Sequence, residues 1–171
     1  MIQTISIKLF PFNMNLSTIS LTAIMIISQA VHAQQKAEAN LIKEINKQLD
    51  SFSSYMNNLN SEELKKFYAK DPNFYWIEDG RVEYPNREAL VSSLSGLVNS
   101  MSKTSFSIKD RKVTLLSDTS AMLYVGYDQS MTLKSDITFS INGAMTILLK
   151  KEEEQWYFLI GHSSTKKQRG N

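Results

Sequence analysis

The stretch ITFSINGAMTILLK, residues 137–150, decides the fold class because its side chains alternate with the period of a β-strand. Its apolar side chains share one face, and its small or polar side chains share the other. The apolar set is Ile137, Phe139, Ile141, Met145, Ile147 and Leu149. The polar set is Thr138, Ser140, Asn142, Ala144 and Thr146. The pattern predicts a strand of an antiparallel sheet with one face on the core and a small, polar outer face.

The same period of two continues on both sides of this stretch. Residues 104–116, 120–132 and 155–164 are predicted strands, joined by short polar turns. The parity of the apolar positions changes between Phe106 and Val113, which predicts a β-bulge near residues 110–112. The charged run at residues 151–154 is predicted to be a solvated hairpin tip.

The first half of the domain is predicted to be mainly helical. Residues 36–58 carry the apolar stripe of an amphipathic helix, a second short helix begins at Asn60 or Ser61, and a third begins after Asn86. Residues 74–77 favour a short strand before a turn at residues 78–80. Helices followed by long strands indicate an α+β fold, a cone-shaped curved antiparallel sheet packed against N-terminal helices. The open end of such a cone is a natural pocket.

The first 33 residues differ in composition from the remainder of the chain. They hold one charged residue, Lys8, then an apolar-rich stretch over residues 16–31 and a small-x-small pattern at residues 31–33. This order predicts a cleaved signal peptide over residues 1–33 and a periplasmic or secreted protein. Serine and threonine interrupt the apolar stretch, so we expect no stable membrane anchor. The domain is then residues 34–165, and residues 166–171 form a basic tail.

Composition excludes several function classes. The 171 residues include no cysteine, which rules out disulfide scaffolds, cysteine nucleophiles and cysteine-ligated zinc. A net charge of +2 from 19 basic and 17 acidic residues argues against nucleic-acid binding. Removal of residues 1–33 leaves His162 as the single histidine, so a multi-histidine metal site is not available. Nucleotide-binding motifs are also missing from the sequence, and we expect neither a cofactor nor a metal ion.

Two segments resemble the nuclear transport factor 2-like superfamily, in particular its SnoaL-like and ketosteroid-isomerase-like branches. The first runs from DPNF, residues 71–74, through Asp79-Gly80 to NREAL, residues 86–90. The second is WYFLIGHSS, residues 156–164, which is similar to a terminal W-x-I-x-H-x-H-x-S strand with Ile160 in place of the first histidine. The resemblance covers residues 42–164. It implies an interior pocket and a homodimer through the outer sheet face, in a superfamily of isomerases, cyclases, dehydratases, transport factors and assembly domains.

Five residues are candidates for the site. Alternation along residues 156–162 places His162 on the apolar face, where an imidazole can act as acid, base or hydrogen-bond donor. Asp128 is a candidate general base if apolar walls enclose it. Trp76, Tyr84 and Tyr124, together with His162, are candidate ligand-binding residues. Glu78 and Asp79 adjoin Gly80 and are predicted to be turn acids.

These observations favour an exported SnoaL-like protein that binds a small, mostly apolar molecule in a conical pocket, as a homodimer. One alternative is an isomerase, cyclase or dehydratase with Asp128 or His162 as general base and a tyrosine hydroxyl as oxyanion donor. Another is a dimeric association module without a ligand, whose working surface is the outer face of residues 138–146.

Overall fold

The computed structural model describes residues 16–166, with side chains from residue 28 onward. The chain divides into two compact units, residues 1–37 and residues 38–171. The described part of the first unit is helical, and the second unit holds the sheet. The first 15 residues of the predicted signal peptide, and the predicted basic tail apart from Lys166, lie outside the described residues. Within the described residues, no helix offers the long apolar run that a bilayer-spanning segment needs.

Three α-helices precede or interrupt the strands. They are α1, Leu16–Asn57, α2, Ser61–Leu64, which continues as a 3₁₀ turn over Lys65–Phe67, and α3, Arg87–Ser100. The predicted caps are confirmed. The Asn60 side chain accepts a hydrogen bond from the Glu63 amide at 3.2 Å, and the Asn86 side chain accepts one from the Ala89 amide at 2.9 Å.

Six strands form one sheet in the order β2-β1-β6-β5-β4-β3. They are β1, Tyr75–Glu78, β2, Arg81–Tyr84, β3, Met101–Ser117, β4, Ser120–Leu133, β5, Thr138–Glu152, and β6, Gln155–Thr165. Neighbouring strands are antiparallel except β1 and β6, which are parallel. The predicted α+β fold is confirmed: a curved sheet, open rather than closed, with helices packed on its concave face. The short strand β2 was not predicted.

Two bulges set which side chains face the core. In β3 the register shifts between Ile108 and Asp110, one residue before the predicted bulge. In β6, Phe158 pairs with Leu149 while Ile160 pairs with Leu148, so Leu159 is an extra residue.

The bulge at Leu159 inverts the faces of the rest of β6. Gly161 pairs with the fully buried Ile147, whereas His162 pairs with the exposed Thr146. The alternation that placed His162 on the same face as Trp156 is therefore wrong. His162 lies on the outer face of the sheet, the face turned away from the helices, and its side chain is exposed.

The core lies between α1 and the concave face. The predicted apolar stripe of α1 supplies Ile45, Leu49, Phe52 and Met56, all of them buried. At the end of α1 the Asn57 side chain accepts a hydrogen bond from the Phe106 amide at 2.6 Å and donates one to the Phe106 carbonyl at 3.0 Å. These two bonds fix the helix end on the edge strand β3.

The third helix contacts α2 and β2, and its Leu90 and Val98 are buried. Several other side chains at this end of the fold pack against the core but are only partly buried: Tyr84, Leu94, Tyr127 and Ile141. We call this end of the sheet the open end, and the polar groups described next are found there.

Candidate functional site

Strand β1 brings an indole and a carboxyl group to the open end of the concave face. Trp76 and Glu78 are two residues apart and share this face. The parallel neighbour β6 places Ser163 opposite Glu78, because the bulge at Leu159 turns Ser163 inward. We call Trp76, Glu78, Ser163 and the nearby Tyr127 the interior site.

The polar groups of the interior site form a chain of hydrogen bonds. The Trp76 Nε1–H donates to Ser163 Oγ at 3.2 Å. Ser163 pairs with Glu78 across β1 and β6, and hydrogen bonding from its hydroxyl lowers the pKa of the Glu78 carboxyl group. Because a hydroxyl can accept from an indole and donate to a carboxylate, Ser163 is able to connect the two groups.

The surroundings of Glu78 favour its protonated form. Burial raises the pKa of Glu78, and the nearby carboxylates Glu83 and Asp79 raise this pKa further, against an opposing effect of the Ser163 hydrogen bond. Burial likewise raises the pKa of the Tyr127 hydroxyl, with Glu78 as the next cause. The carboxyl and the phenol are therefore close enough to influence each other. Together they can hold a polar group of a ligand or move a proton.

The raised pKa makes stability depend on pH through Glu78. The contribution of Glu78 to stability is full below its ordinary pKa of 4.5 and is lost as pH rises through the higher folded-state pKa. In Glu78→Gln this loss is removed. We expect the difference in unfolding free energy between variant and wild type to move in favour of the variant from about pH 4 to pH 8. Urea unfolding at both pH values measures it, with Glu88→Gln at an exposed position of α3 as control. An equal difference at both pH values would contradict the assignment.

The predicted site residues fall on two faces of the sheet. Trp76 and Tyr84 pair with each other and lie on the concave side. Trp76 is 5% exposed and forms part of the wall of the interior site, with its ring over Gly161. The Tyr84 hydroxyl shares a hydrogen bond with Ser93 Oγ at 3.1 Å and so connects β2 to α3.

Asp128, Tyr124 and His162 lie on the outer face instead. Asp128 forms an ion pair with Lys109 at 2.8 Å and accepts a hydrogen bond from Asn142. These contacts, Lys109 first, lower the pKa of Asp128. A half-exposed, paired carboxylate lacks the apolar walls that a general base of raised pKa requires, so the enclosure expected for Asp128 is not found.

The outer face carries a shallow groove of about 520 Å³. Its floor is a row of small residues across three strands, Gly126, Ala144 and Ser164, with Tyr124 and Asp128 on its walls. His162 is separated from Tyr124 by Thr146. The outer groove is thus lined by two of the predicted site residues, Tyr124 and Asp128, whereas His162 does not line it. Among the side chains that the structure describes, no three acidic or histidine groups cluster as a metal site would require.

The model of the SnoaL-like domain family matches residues 45–166, nearly all of the second unit. The chain belongs to the SnoaL-like domain family. No curated protein gives a significant sequence match.

Several solved structures share the fold of this SnoaL-like domain. A protein from Novosphingobium aromaticivorans assigned as a scytalone dehydratase is 15% identical, with a TM-score of 0.69 over 78% of this chain and 89% of that one. A nuclear transport factor 2-like superfamily protein from Salmonella enterica is 12% identical, with a TM-score of 0.67 over 78% and 96%. Hexachlorocyclohexane dehydrochlorinase LinA-type3 from Novosphingobium barchaimii is 10% identical, with a TM-score of 0.64 over 78% and 91%. At these identities the likeness shows the fold.

Sequence reasoning missed the central carboxyl group of this SnoaL-like domain. Glu78 adjoins Asp79 and Gly80, which do form the turn, with φ values of 46° and 92°. The Asp79 side chain accepts a hydrogen bond from the Thr165 amide at 3.0 Å, a long-range contact that joins the turn to β6. Glu78, however, is the last residue of β1. The signal that was available is its spacing of two from Trp76, which puts both side chains on one face.

Proposed function

We propose that this SnoaL-like domain is exported and binds a small, mostly apolar molecule between α3 and the concave face. The hydrogen-bonded chain from Trp76 through Ser163 to Glu78 carries the proposal. It ends in a half-buried carboxyl group beside apolar side chains that retain solvent-accessible surface. A few oriented polar groups in a mostly apolar, concave setting are typical of small-molecule sites.

The apolar and the polar side chains around this space imply a ligand with an apolar body and one polar end. Leu94 and Ile141 offer contacts to an apolar body. Glu78 and Tyr127 offer contacts to a polar end, since a protonated carboxyl or a phenol donates a hydrogen bond and an ionised carboxylate accepts one. We therefore expect a compact molecule with a single carbonyl or hydroxyl group near one end.

Filling the space beside α3 tests this function. The neutral apolar dye Nile red serves as the probe, and its fluorescence reports binding. Leu94→Trp places a bulky side chain in the proposed space, so we expect the dissociation constant to rise about tenfold or more, which corresponds to about 1.4 kcal/mol. Leu116→Trp is the matched control, because Leu116 is 57% exposed at the far end of β3. Equal weakening in both variants, or in neither, would contradict the location.

Native mass spectrometry of the protein purified from its own compartment identifies the natural molecule. A co-purifying compound that is present in wild type and lost in Leu94→Trp supports the proposal. A protein that never carries a compound, and that binds Nile red equally well with Leu94→Trp, would favour the association module.

One observation favours proton-transfer catalysis as a second function. Glu78 combines a raised pKa with a place at the open end of the concave face beside Ser163, as a general base requires, and the Tyr127 hydroxyl can donate to an oxygen that gains charge. In this role Glu78 takes the place predicted for Asp128 or His162. Incubating the identified compound with the protein decides the matter, because a changed compound indicates turnover and an unchanged one indicates binding alone.

A further inference from the structure

Gly143 leaves a space on the concave face that the side chain of Tyr127 fills. Tyr127 shares this face with the buried Val125 and Gln129, which lie two residues away on either side in β4. Its partner across β4 and β5 is Gly143. A Cβ atom built at Gly143 would lie 2.7 Å from Tyr127 Oη and 2.8 Å from Cζ of the same ring. The phenol thus occupies the volume that a side chain at residue 143 would take.

The positions of these two atoms give the direction of the phenol. Tyr127 belongs to β4, but the tip of its ring lies over Gly143 in β5. The same Cβ atom would also lie 2.8 Å from the carbonyl oxygen of Ser164 in β6. The side chain therefore reaches across β5 towards β6, whose Ser163 pairs with Glu78 of β1.

The ring of Tyr127 is held in this direction by Phe106. The two rings are stacked, with centroids 5.1 Å apart and planes 26° apart. Phe106 is buried, and its backbone is bound to the Asn57 side chain, so it cannot easily move with the phenol. The electrostatics agree with this direction. After burial, the causes that raise the pKa of the Tyr127 hydroxyl are Glu78 and Asp79, which lie on the far side of β6.

We propose that Gly143 is a positioning residue, which allows the Tyr127 hydroxyl to reach over β5 and hold the polar end of the ligand opposite Glu78. The inference rests on the proposed function and deepens it, because it assigns the oxygen of the ligand to the space between these two groups. The phenol donates a hydrogen bond to that oxygen from one side. A larger residue at position 143 would displace the phenol and leave Glu78 as the remaining contact of the pair.

A titration without ligand tests the positioning. Ultraviolet absorbance of tyrosinate gives the pKa of the Tyr127 hydroxyl, as the difference between each protein and its Tyr127→Phe counterpart. In the protein with Gly143, Glu78→Gln should lower this pKa, because it removes a negative charge that opposes ionisation of the phenol. In Gly143→Ala the pKa should lie closer to its ordinary value of 10.0, and Glu78→Gln should no longer change it.

Gly126→Ala is the matched control. Gly126 precedes Tyr127 in β4 but belongs to the outer face, where an added Cβ atom would overlap the Asp110 side chain. We expect both glycine variants to lose stability, because both sites are crowded. Gly126→Ala should nevertheless keep the pKa of Tyr127 and its response to Glu78→Gln. An unchanged pKa in Gly143→Ala as well, still lowered by Glu78→Gln, would overturn the positioning role.

Nile red binding measures the consequence for a ligand. The dye carries a carbonyl group, and its emission shifts to shorter wavelength when a hydrogen bond to this group is lost. Tyr127→Phe and Gly143→Ala should each raise the dissociation constant about fivefold and shift the emission of the bound dye to the blue. The double variant should bind no more weakly than Tyr127→Phe, since the hydroxyl is already gone.

The two measurements separate this inference from the proposed function. Weaker binding by Leu94→Trp together with unchanged binding and emission in Gly143→Ala would overturn the ligand contact and leave the location of the ligand intact. Failure of the wild-type protein to bind Nile red would contradict the proposed function, whereas the titration would still decide whether Gly143 positions Tyr127.

Discussion

Phe52→Ala should lower the free energy of unfolding by about 3–5 kcal/mol, the largest single-residue loss that we expect in α1. Phe52 is 5% exposed and lies where helix, turn and sheet meet. Its ring centroid is 5.3 Å from that of Phe67, 5.4 Å from that of Phe158 and 6.0 Å from that of Phe106. Alanine would leave a cavity and remove three aromatic contacts at once.

Urea unfolding of wild type and variant measures this loss. Phe139→Ala is the matched control, since it removes the same ring from a position that is 38% exposed, and its effect should be clearly smaller. Similar losses at the two positions would show that Phe52 is not a centre of the core. Because Phe52 belongs to the buried core, its variant should change the stability of the whole fold rather than a local contact.

The importance of Phe52 could be predicted from sequence because helical periodicity is local information. The spacing of apolar residues along residues 41–56 is set by 3.6 residues per turn, and the buried face of α1 follows it closely. The alternation of residues 137–150 is equally local, and Met145, Ile147 and Leu149 are buried as it predicts. The caps Asn60 and Asn86 are also local features that the sequence can predict, since each bonds to an amide three residues away.

The interior site could not be predicted in the same way, because it depends on a bulge. One extra residue in β6 exchanges the faces of all residues after Leu159. Leu159 and Ile160 are both apolar, so the sequence gives no sign of which one is unpaired. The inversion moves His162 outward and Ser163 inward, which replaces an expected imidazole with a hydroxyl.

The strand β2 was missed for a different reason. Residues 81–84 alternate charged and apolar side chains, but four residues are too few for this alternation to identify a strand. In this edge strand Val82 is also 54% exposed, so the pattern does not mark a buried face. Glu78 was assigned to a turn because its pairing with Ser163 in β6 is a long-range contact, separated by more than 80 residues in the chain.

Gly161→Ala should destabilise the protein by about 1–3 kcal/mol, although the same change normally favours folding. A Cβ atom built at Gly161 would overlap three atoms of the Trp76 ring. The ring cannot move aside easily, because it is 5% exposed and its Nε1–H is bound to Ser163 Oγ at 3.2 Å. The small size of residue 161 is thus what admits the indole against β6.

Gly96→Ala provides a control of opposite sign. Gly96 lies inside α3, and nothing is found within 4 Å of a Cβ at that position. Alanine there should stabilise the protein by about 0.5–1 kcal/mol, because it restricts the unfolded chain and favours the helix. Thermal or urea unfolding of the two glycine variants distinguishes the steric overlap expected at Gly161 from the gain in helix preference expected at Gly96. Stabilisation by both would mean that Trp76 leaves room at Gly161.

A double-mutant cycle connects this packing to the interior site. In a Trp76→Leu background the overlap is removed, so Gly161→Ala should lose most of its cost, giving a coupling energy of about 1 kcal/mol or more. Displacing the indole also pulls its N–H away from Ser163, which frees that hydroxyl to reorient. Because the Ser163 hydrogen bond lowers the pKa of Glu78 against the effect of burial, Gly161→Ala should raise that pKa further. The total gain of Glu78→Gln over its parent, and the pH at which this gain levels off, would then both increase in the Gly161→Ala background, whereas an unchanged profile would show that Trp76 packs beside Glu78 without controlling it.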